Sequence, residues 1–154
     1  MKNKKIVLLS ILICSMVLSA AILFMWNYPG DYNTTLEVNW EITIPSEAQY
    51  SEIYRKDSGS SFHGDGIRYH VFSYEDQSYI SAMLDWESEE RETIFYANYS
   101  DAVNGLLDAI EVPSEYRPYC SECLFWYDAQ ADNSEIIILW DKGNSTIYVV
   151  ESFL

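Results

Sequence analysis

A nearly unbroken apolar run from Ile6 to Trp26 is the feature that most constrains how this chain folds and where it resides. The run contains no charged residue, and about 20 residues of helix span about 30 Å, the thickness of a bilayer's hydrocarbon core. Lys2, Lys4 and Lys5 precede it. The positive-inside bias therefore predicts a single-pass membrane helix with its N-terminus in the cytoplasm.

Cleavage within the run is the alternative. Ser19-Ala20-Ala21 offers small residues of the kind found at signal-peptide cleavage sites. However, the run continues to Trp26 and exceeds the roughly 7 to 15 apolar residues of a signal peptide, which favours an uncleaved signal anchor. Lipid attachment at Cys14 is disfavoured because Ile13 precedes it, where a small residue is expected. We predict a cytoplasmic tail (1–5), a transmembrane signal-anchor helix (6–26), a short tether (27–34) and an extracytoplasmic domain (35–154).

The chain beyond the anchor is strongly acidic. Without its three N-terminal lysines it has six Lys and Arg against 24 Asp and Glu, a net charge of −18. This charge argues against nucleic acid as a partner, because phosphate binding depends on clustered Lys and Arg. The negative charge either keeps the domain soluble or attracts a cationic peptide, protein or cell-wall partner. An aromatic content of 16% and an apolar content of 49% indicate a folded domain rather than disorder.

Alternation of apolar and polar residues predicts an antiparallel sheet in the outer domain. Thr35–Ile44 has the clearest pattern. Tyr50–Lys56 and Ile67–Tyr74 are expected to pair as a hairpin with a glycine-rich tip. Three further strands are expected to form a meander, and the middle one is apolar on both faces, as a central strand covered by a helix would be. They are Leu124–Tyr127, Glu135–Asp141 and Thr146–Phe153.

Two helices are predicted between the hairpin and the meander. Tyr79, Ile80, Met83 and Leu84 form one short apolar face, and Ser88 is placed to cap a second helix that Pro113 ends. Alternatively, residues 93–96 form a strand and Ser100 is a later cap. The predicted fold class is α+β: an N-terminal transmembrane helix followed by an antiparallel sheet of five to six strands with two helices on one face.

Three segments carry a resemblance to a known family: Ser61-Phe62-His63-Gly64-Asp65-Gly66 with Arg68-Tyr69, the Pro113–Tyr116 turn, and Asp132-Asn133-Ser134 with the strands that follow. Together they resemble a family of small, membrane-anchored proteins of Gram-positive bacteria. The resemblance implies a signal-anchored extracytoplasmic α+β domain and no particular reaction. Ile67 departs from the family pattern, where a charged residue is expected, and the cysteine pair near residue 120 is also unusual for the family.

The candidate binding residues are His63, Asp65, Arg68 and His70, in and after the glycine-rich loop. His63 and Asp65 are residue types that ligate metal ions, and a folded loop would bring them around a shared ion. His70 lies about 13 Å further along an extended strand, at roughly 3.3 Å per residue. The alternative is a structural loop in which the glycines supply turn conformations and Asp65 caps backbone amides.

Cys120 and Cys123 are predicted to form a disulfide, since a domain outside the membrane is exposed to oxidising conditions. A bridge between residues three apart requires a turn, which would lead into the strand that begins at Leu124. Free thiols, a metal site and redox activity are the alternatives.

The sequence predicts a binding module rather than an enzyme. Its glycine pattern at Gly64 and Gly66 lacks the lysine and the helix of a phosphate-binding loop, and no cofactor is predicted. The expected function is a membrane-tethered acidic module that engages a cationic partner at the cell surface. The alternative is a metal-binding protein or metal-dependent hydrolase that uses His63 and Asp65, and a third interpretation is an accessory subunit of a membrane assembly.

Overall fold

The computed structural model describes residues 32–45, 50–59, 65–88 and 99–153 of the 154-residue chain. The chain divides into two units, Met1–Ile44 and Pro45–Leu154, which are described separately. Among the described residues, no helix has both the length and the apolar character needed to cross a membrane. The predicted anchor, residues 6–26, lies outside the described ranges and stays a prediction.

The first unit contains a helix, α1 (Tyr32–Trp40), where the sequence pattern predicts a strand. Leu36 and Trp40 are buried on one side of it, whereas Val38 is 76% exposed. The strand prediction for Thr35–Ile44 is therefore wrong over its first six residues, and the helix also includes the last three residues of the predicted tether. The pattern misleads because a spacing of four fits both the two-residue period of a strand and the period of a helix.

The predicted alternation of buried and exposed residues does hold after α1 ends. Glu41 has φ of 57°, a left-handed conformation that ends the helix, and Ile42 and Ile44 are buried on either side of exposed Thr43. Two hydrogen bonds of the Asn33 side chain link this segment to α1. Its Oδ1 accepts a hydrogen bond from the Ile44 amide at 2.7 Å, and its Nδ2 donates to the Ile44 carbonyl at 3.4 Å.

The second unit is built on a six-stranded antiparallel sheet, which confirms the α+β class. Its spatial order is β1-β2-β6-β5-β4-β3, and β3 has only two residues. Each long strand predicted in this unit is present within two residues of its expected bounds. The strands are β1 (Tyr50–Asp57), β2 (Gly66–Tyr74), β3 (Glu87–Ser88), β4 (Leu124–Ala129), β5 (Glu135–Asp141) and β6 (Thr146–Phe153).

Within the described part of this unit, two helices and two 3-10 turns accompany the sheet: α2 (Ser78–Ser81), α3 (Tyr99–Ala109), Ser114–Tyr116 and Cys120–Glu122. The predicted apolar spacing holds over α3, where Tyr99, Val103 and Leu107 are buried. Ser100 is inside this helix rather than its cap. Ser88, the predicted cap of a longer helix, lies in β3, and residues 89–98 are outside the described ranges.

One face of the sheet, called the helix face, packs against α3 and the 3-10 turns. Its two most buried tyrosine hydroxyls, those of Tyr69 and Tyr99, each donate at 2.5 Å to a backbone carbonyl, of Tyr116 and Cys120 respectively. The buried side chains of the helix face, of α3 and of the turns pack together and form the main apolar core. It comprises Tyr69, Val71, Tyr99, Val103, Leu107, Ile110, Val112, Cys120, Cys123, Phe125, Ile137, Leu139 and Val150.

Strand alternation places a second set of buried side chains on the opposite face. Trp86, whose Nε1 donates to the Ile80 carbonyl of α2 at 2.8 Å, contacts Trp140 on this face with ring centroids 5.4 Å apart. Through Trp86, α2 is linked to Trp140 on this face, whereas α3 packs on the helix face, which differs from the prediction that both helices lie on one face. The buried members are His70, Phe72, Tyr74, Ile136, Ile138, Trp140, Ile147, Val149 and Glu151.

Candidate functional site

A β-bulge in β1 determines which side chains meet on the hairpin. Glu52 pairs with Phe72, but the register shifts at Ile53, so that Tyr54 pairs with Val71 and the next residue with His70. The bulge therefore leaves Glu52 on the opposite face and turns Tyr54 toward the helix face, where it stacks on Tyr116 at 4.3 Å between centroids.

His70 and Glu52 form the most distinctive polar pair on this hairpin. The Nδ1 of His70 lies 2.5 Å from Oε1 of Glu52, and the His70 side chain is only 11% exposed. Burial lowers the pKa of the His70 imidazole, and the hydrogen bond to Glu52 offsets part of that shift. Because burial dominates, the imidazole is neutral near pH 7 and donates its Nδ1–H to the carboxylate. A carboxylate that orients an imidazole in this way fixes its tautomer.

Arg68 lies two residues before His70 on the same face. Its Nε is 3.6 Å from Oδ2 of Asp57, its cross-strand neighbour in β1, and its guanidinium carbon is 4.5 Å from the ring centroid of Phe153. On its other side it pairs in register with Glu151 of β6, a fully buried glutamate. Asp57, Arg68 and Glu151 thus occupy neighbouring register positions on three adjacent strands.

The structure brings only part of the predicted binding set together. Arg68 and His70 are neighbours on one face, whereas Asp65 is exposed at the residue before β2. His63 lies outside the described ranges, so the metal-site prediction stays a prediction. Within the described residues, no group of three or more His, Cys, Asp or Glu side chains is arranged to hold a metal ion.

Glu52 is the site residue that sequence reasoning missed. It is 18 positions from His70, and its position depends on the bulge at Ile53. The alternation of β1 carries no signal for a bulge, because Ile53 is an ordinary β-branched residue and no glycine marks the irregularity.

The two cysteines occupy the turn that a disulfide would need. Cys120 begins a 3-10 turn, the Cys123 amide donates to its carbonyl at 3.2 Å, and β4 follows directly. Both are buried thiols that are not bonded to each other, so the disulfide stays a prediction. Burial raises the pKa of the Cys123 thiol to about 12, which disfavours the thiolate that redox or metal chemistry would require.

Two arginines of the second unit form ion pairs within it. Arg117 donates to the carbonyls of Val112 at 2.8 Å and Leu107 at 3.3 Å and to Asp108 at 2.5 Å, so it serves the C-terminal end of α3. Arg68 is paired with Asp57. Because acids greatly outnumber bases in the chain, carboxylates dominate the exposed surface: Asp65, Glu75, Asp76, Asp85, Asp101, Glu111, Glu115, Glu122, Asp128 and Asp132.

Comparison of the chain with protein-family models, with curated protein sequences and with solved structures finds no match. The family resemblance carried by residues 61–69 therefore stays a prediction, and the function is argued from the chain's own side chains.

Proposed function

We propose that this protein is a membrane-tethered, extracytoplasmic acidic binding module that engages a cationic partner at the cell surface. The observation that carries the proposal is the charge imbalance of the described surface, where exposed carboxylates greatly outnumber the available Lys and Arg side chains. Such a surface attracts cations and basic protein faces and accelerates their association.

The ion pairs of two basic residues support this proposal. Arg117 and Arg68 are each paired with one acidic side chain, Asp108 and Asp57, so neither is left to pair with the other exposed carboxylates. A basic partner would supply the missing counter-charge. The apolar run of residues 6–26 supports the tethered location, since its length matches a bilayer and lysines precede it.

The partner chemistry is tested with the full-length protein in lipid nanodiscs of neutral phosphatidylcholine. Binding of a fluorescent hexalysine peptide is followed by anisotropy over a salt series, with a peptide of the same length made of serine as the control. We expect saturable hexalysine binding that weakens steeply as salt rises. Affinity that is independent of salt, or equal binding of the serine peptide, would contradict the electrostatic basis of the proposal.

The location is tested in intact cells that express the chain with a C-terminal epitope. External protease is expected to remove the epitope while a cytoplasmic marker protein stays intact, because the anchor places the domain outside. Full protection of the epitope in intact cells, with cleavage only after lysis, would show the reverse orientation or an internal location.

A further inference from the structure

A groove beside the short edge strand β3 combines an ordered tryptophan with charges of both signs. Its walls include Asp85, Trp86, Glu87, Leu124, Trp140 and Lys142, and its volume is about 540 Å³. This volume falls within the roughly 300–1,000 Å³ typical of small-ligand sites. The residues come from three parts of the chain, and none of them belongs to the His70 and Arg68 site.

Strand register builds the groove. Glu87 of β3 pairs with Phe125, Ser88 pairs with Leu124, and Leu124 pairs on its other side with Trp140. This adjacency brings Trp86, the residue just before β3, against Trp140 with an interplanar angle of 51°. The sequence separation of the two tryptophans hides the contact, and only the sheet order creates it.

Trp86 is held in a fixed orientation with part of its surface exposed. Its Nε1 donates to the Ile80 carbonyl at 2.8 Å, and one side of its ring packs on Trp140. Trp140 itself is only 5% exposed, so the surface on which Trp86 packs is part of the folded interior. Trp86 therefore provides a rigid aromatic surface that loses little entropy when a ligand stacks on it.

Hydrogen-bonding groups surround this aromatic surface. Asp85, an exposed residue that precedes Trp86 in the chain, supplies carboxylate acceptors. Lys142 supplies an ammonium donor, and its Nζ lies 5.1 Å from the centroid of the Trp140 ring. Asp141 accepts hydrogen bonds from the amides of Gly143 at 2.8 Å and Asn144 at 3.2 Å, which orders the turn that carries Lys142.

We propose that this groove binds a neutral saccharide, with the C–H face of one sugar ring stacked on Trp86 and its hydroxyls bonded to Asp85 and Lys142. A sugar ring has an apolar face and a rim of groups that both donate and accept hydrogen bonds. This chemistry matches an aromatic surface bordered by acceptors on one side and a donor on the other.

Charged ligands fit the groove less well. An anion would meet the Asp85 carboxylate in a chain of net charge −15. A cation would be attracted by this carboxylate, but the Lys142 ammonium already occupies the vicinity of the Trp140 ring and would repel it. A neutral polyhydroxylated ligand uses all of these groups without repulsion, and the site is therefore distinct from the cationic-partner function proposed above.

The test titrates the full-length protein in nanodiscs with three soluble probes: chitotriose, cellotriose and maltotriose. Binding is measured by isothermal titration calorimetry up to millimolar probe concentrations. We expect saturable binding of at least one probe, with an affinity that changes little with salt because the ligand is neutral. Absence of saturable binding for all three would overturn the proposal. Hexalysine binding is measured in the same preparation, and its outcome does not depend on whether a saccharide binds. The two proposals are therefore tested separately.

Variants then locate the site. Trp86→Ala is expected to weaken binding of the active probe by about tenfold or more, as truncation of a stacked tryptophan does. The variant Asp85→Asn keeps the shape of the groove and is also expected to weaken binding, which covers the case in which Trp86→Ala disturbs folding. Tyr119→Ala removes a 77% exposed aromatic ring that does not line the groove and should leave the affinity unchanged. Unchanged affinity in both groove variants would place the binding elsewhere and overturn the assignment.

Discussion

The two faces of the sheet are both buried, but different chemistry fills them. On the helix face the buried hydroxyls of Tyr69 and Tyr99 donate to backbone carbonyls. On the opposite face lie the ionisable His70 and Glu151, and the buried Tyr74 Oη, which has no hydrogen-bond partner among the described residues, is there too.

This difference separates the part of the second unit that specifies its fold from the part that carries its candidate chemistry. A core whose polar atoms are all satisfied stabilises one packing arrangement. Buried ionisable and incompletely bonded groups lower stability and concentrate at functional positions. Both candidate sites, the His70 hairpin and the Trp86 groove, involve residues of the opposite face.

The largest expected effect concerns the helix face. Leu107→Ala should lower the free energy of unfolding by about 2–5 kcal/mol, because Leu107 is fully buried between α3 and the sheet and its truncation leaves a cavity. Urea denaturation measures the change. Tyr119→Ala, at a 77% exposed position of the same unit, should change it by less than about 0.5 kcal/mol. If Leu107→Ala lowers the free energy of unfolding by less than about 1 kcal/mol, α3 does not pack on the helix face of the sheet.

The second prediction concerns pH and distinguishes the two faces directly. Burial lowers the pKa of His70 in the folded state, so the unfolded chain binds a proton more readily just below the ordinary value of about 6.5. The stability that neutral His70 contributes is fully present above that value and decreases as pH falls below it.

Replacement of His70 by Gln removes the titrating group and keeps a donor for Glu52. The pH dependence of the free energy of unfolding should therefore be shallower in His70→Gln than in the natural chain between pH 7 and the onset of carboxylate titration. Tyr69→Phe is the helix-face control: burial raises the pKa of Tyr69 far above this range, so its curve should stay parallel to that of the natural chain. Parallel curves for both variants would remove the distinction between the faces.

The smallest expected effect concerns the outer side of α3. Gly105 is exposed in the middle of this helix, and a Cβ added there would meet no atom within 4 Å. Gly105→Ala should stabilise the protein by about 0.5–1 kcal/mol through helix propensity alone. Gly59→Ala, at φ of +88°, should give no such gain, because the left-handed conformation strains an alanine. Destabilisation by Gly105→Ala in thermal or urea unfolding would mean that this side of α3 is covered.

Sequence patterns predicted the second unit more accurately than the first. The strands over 135–141 and 146–153 match their predicted bounds because turn residues flank clear strand patterns. In contrast, Leu36 and Trp40 have a spacing that two periods share, and the helical alternative prevailed. Local pattern cannot resolve such a case, since the outcome depends on which contacts bury the two side chains.

The candidate sites show a similar limit. His70 and Arg68 were recognised by residue type and by their place after the glycine-rich loop, but Glu52 and the Trp86 groove were not. Glu52 reaches His70 through a bulge, and Trp86 reaches Trp140 through the order of three strands. Neither relation is encoded in neighbouring residues.

The sequence by itself determined the acidic charge balance, the antiparallel character of the sheet and the positions of its long strands, because charge is additive and strand alternation is a local property. It also predicts a membrane anchor over 6–26 from length and apolarity alone. Tertiary structure decided which side chains meet: the pairing of His70 with Glu52 and the contact of Trp86 with Trp140. These contacts depend on register and strand order, which arise only when distant segments pair and bury their apolar faces.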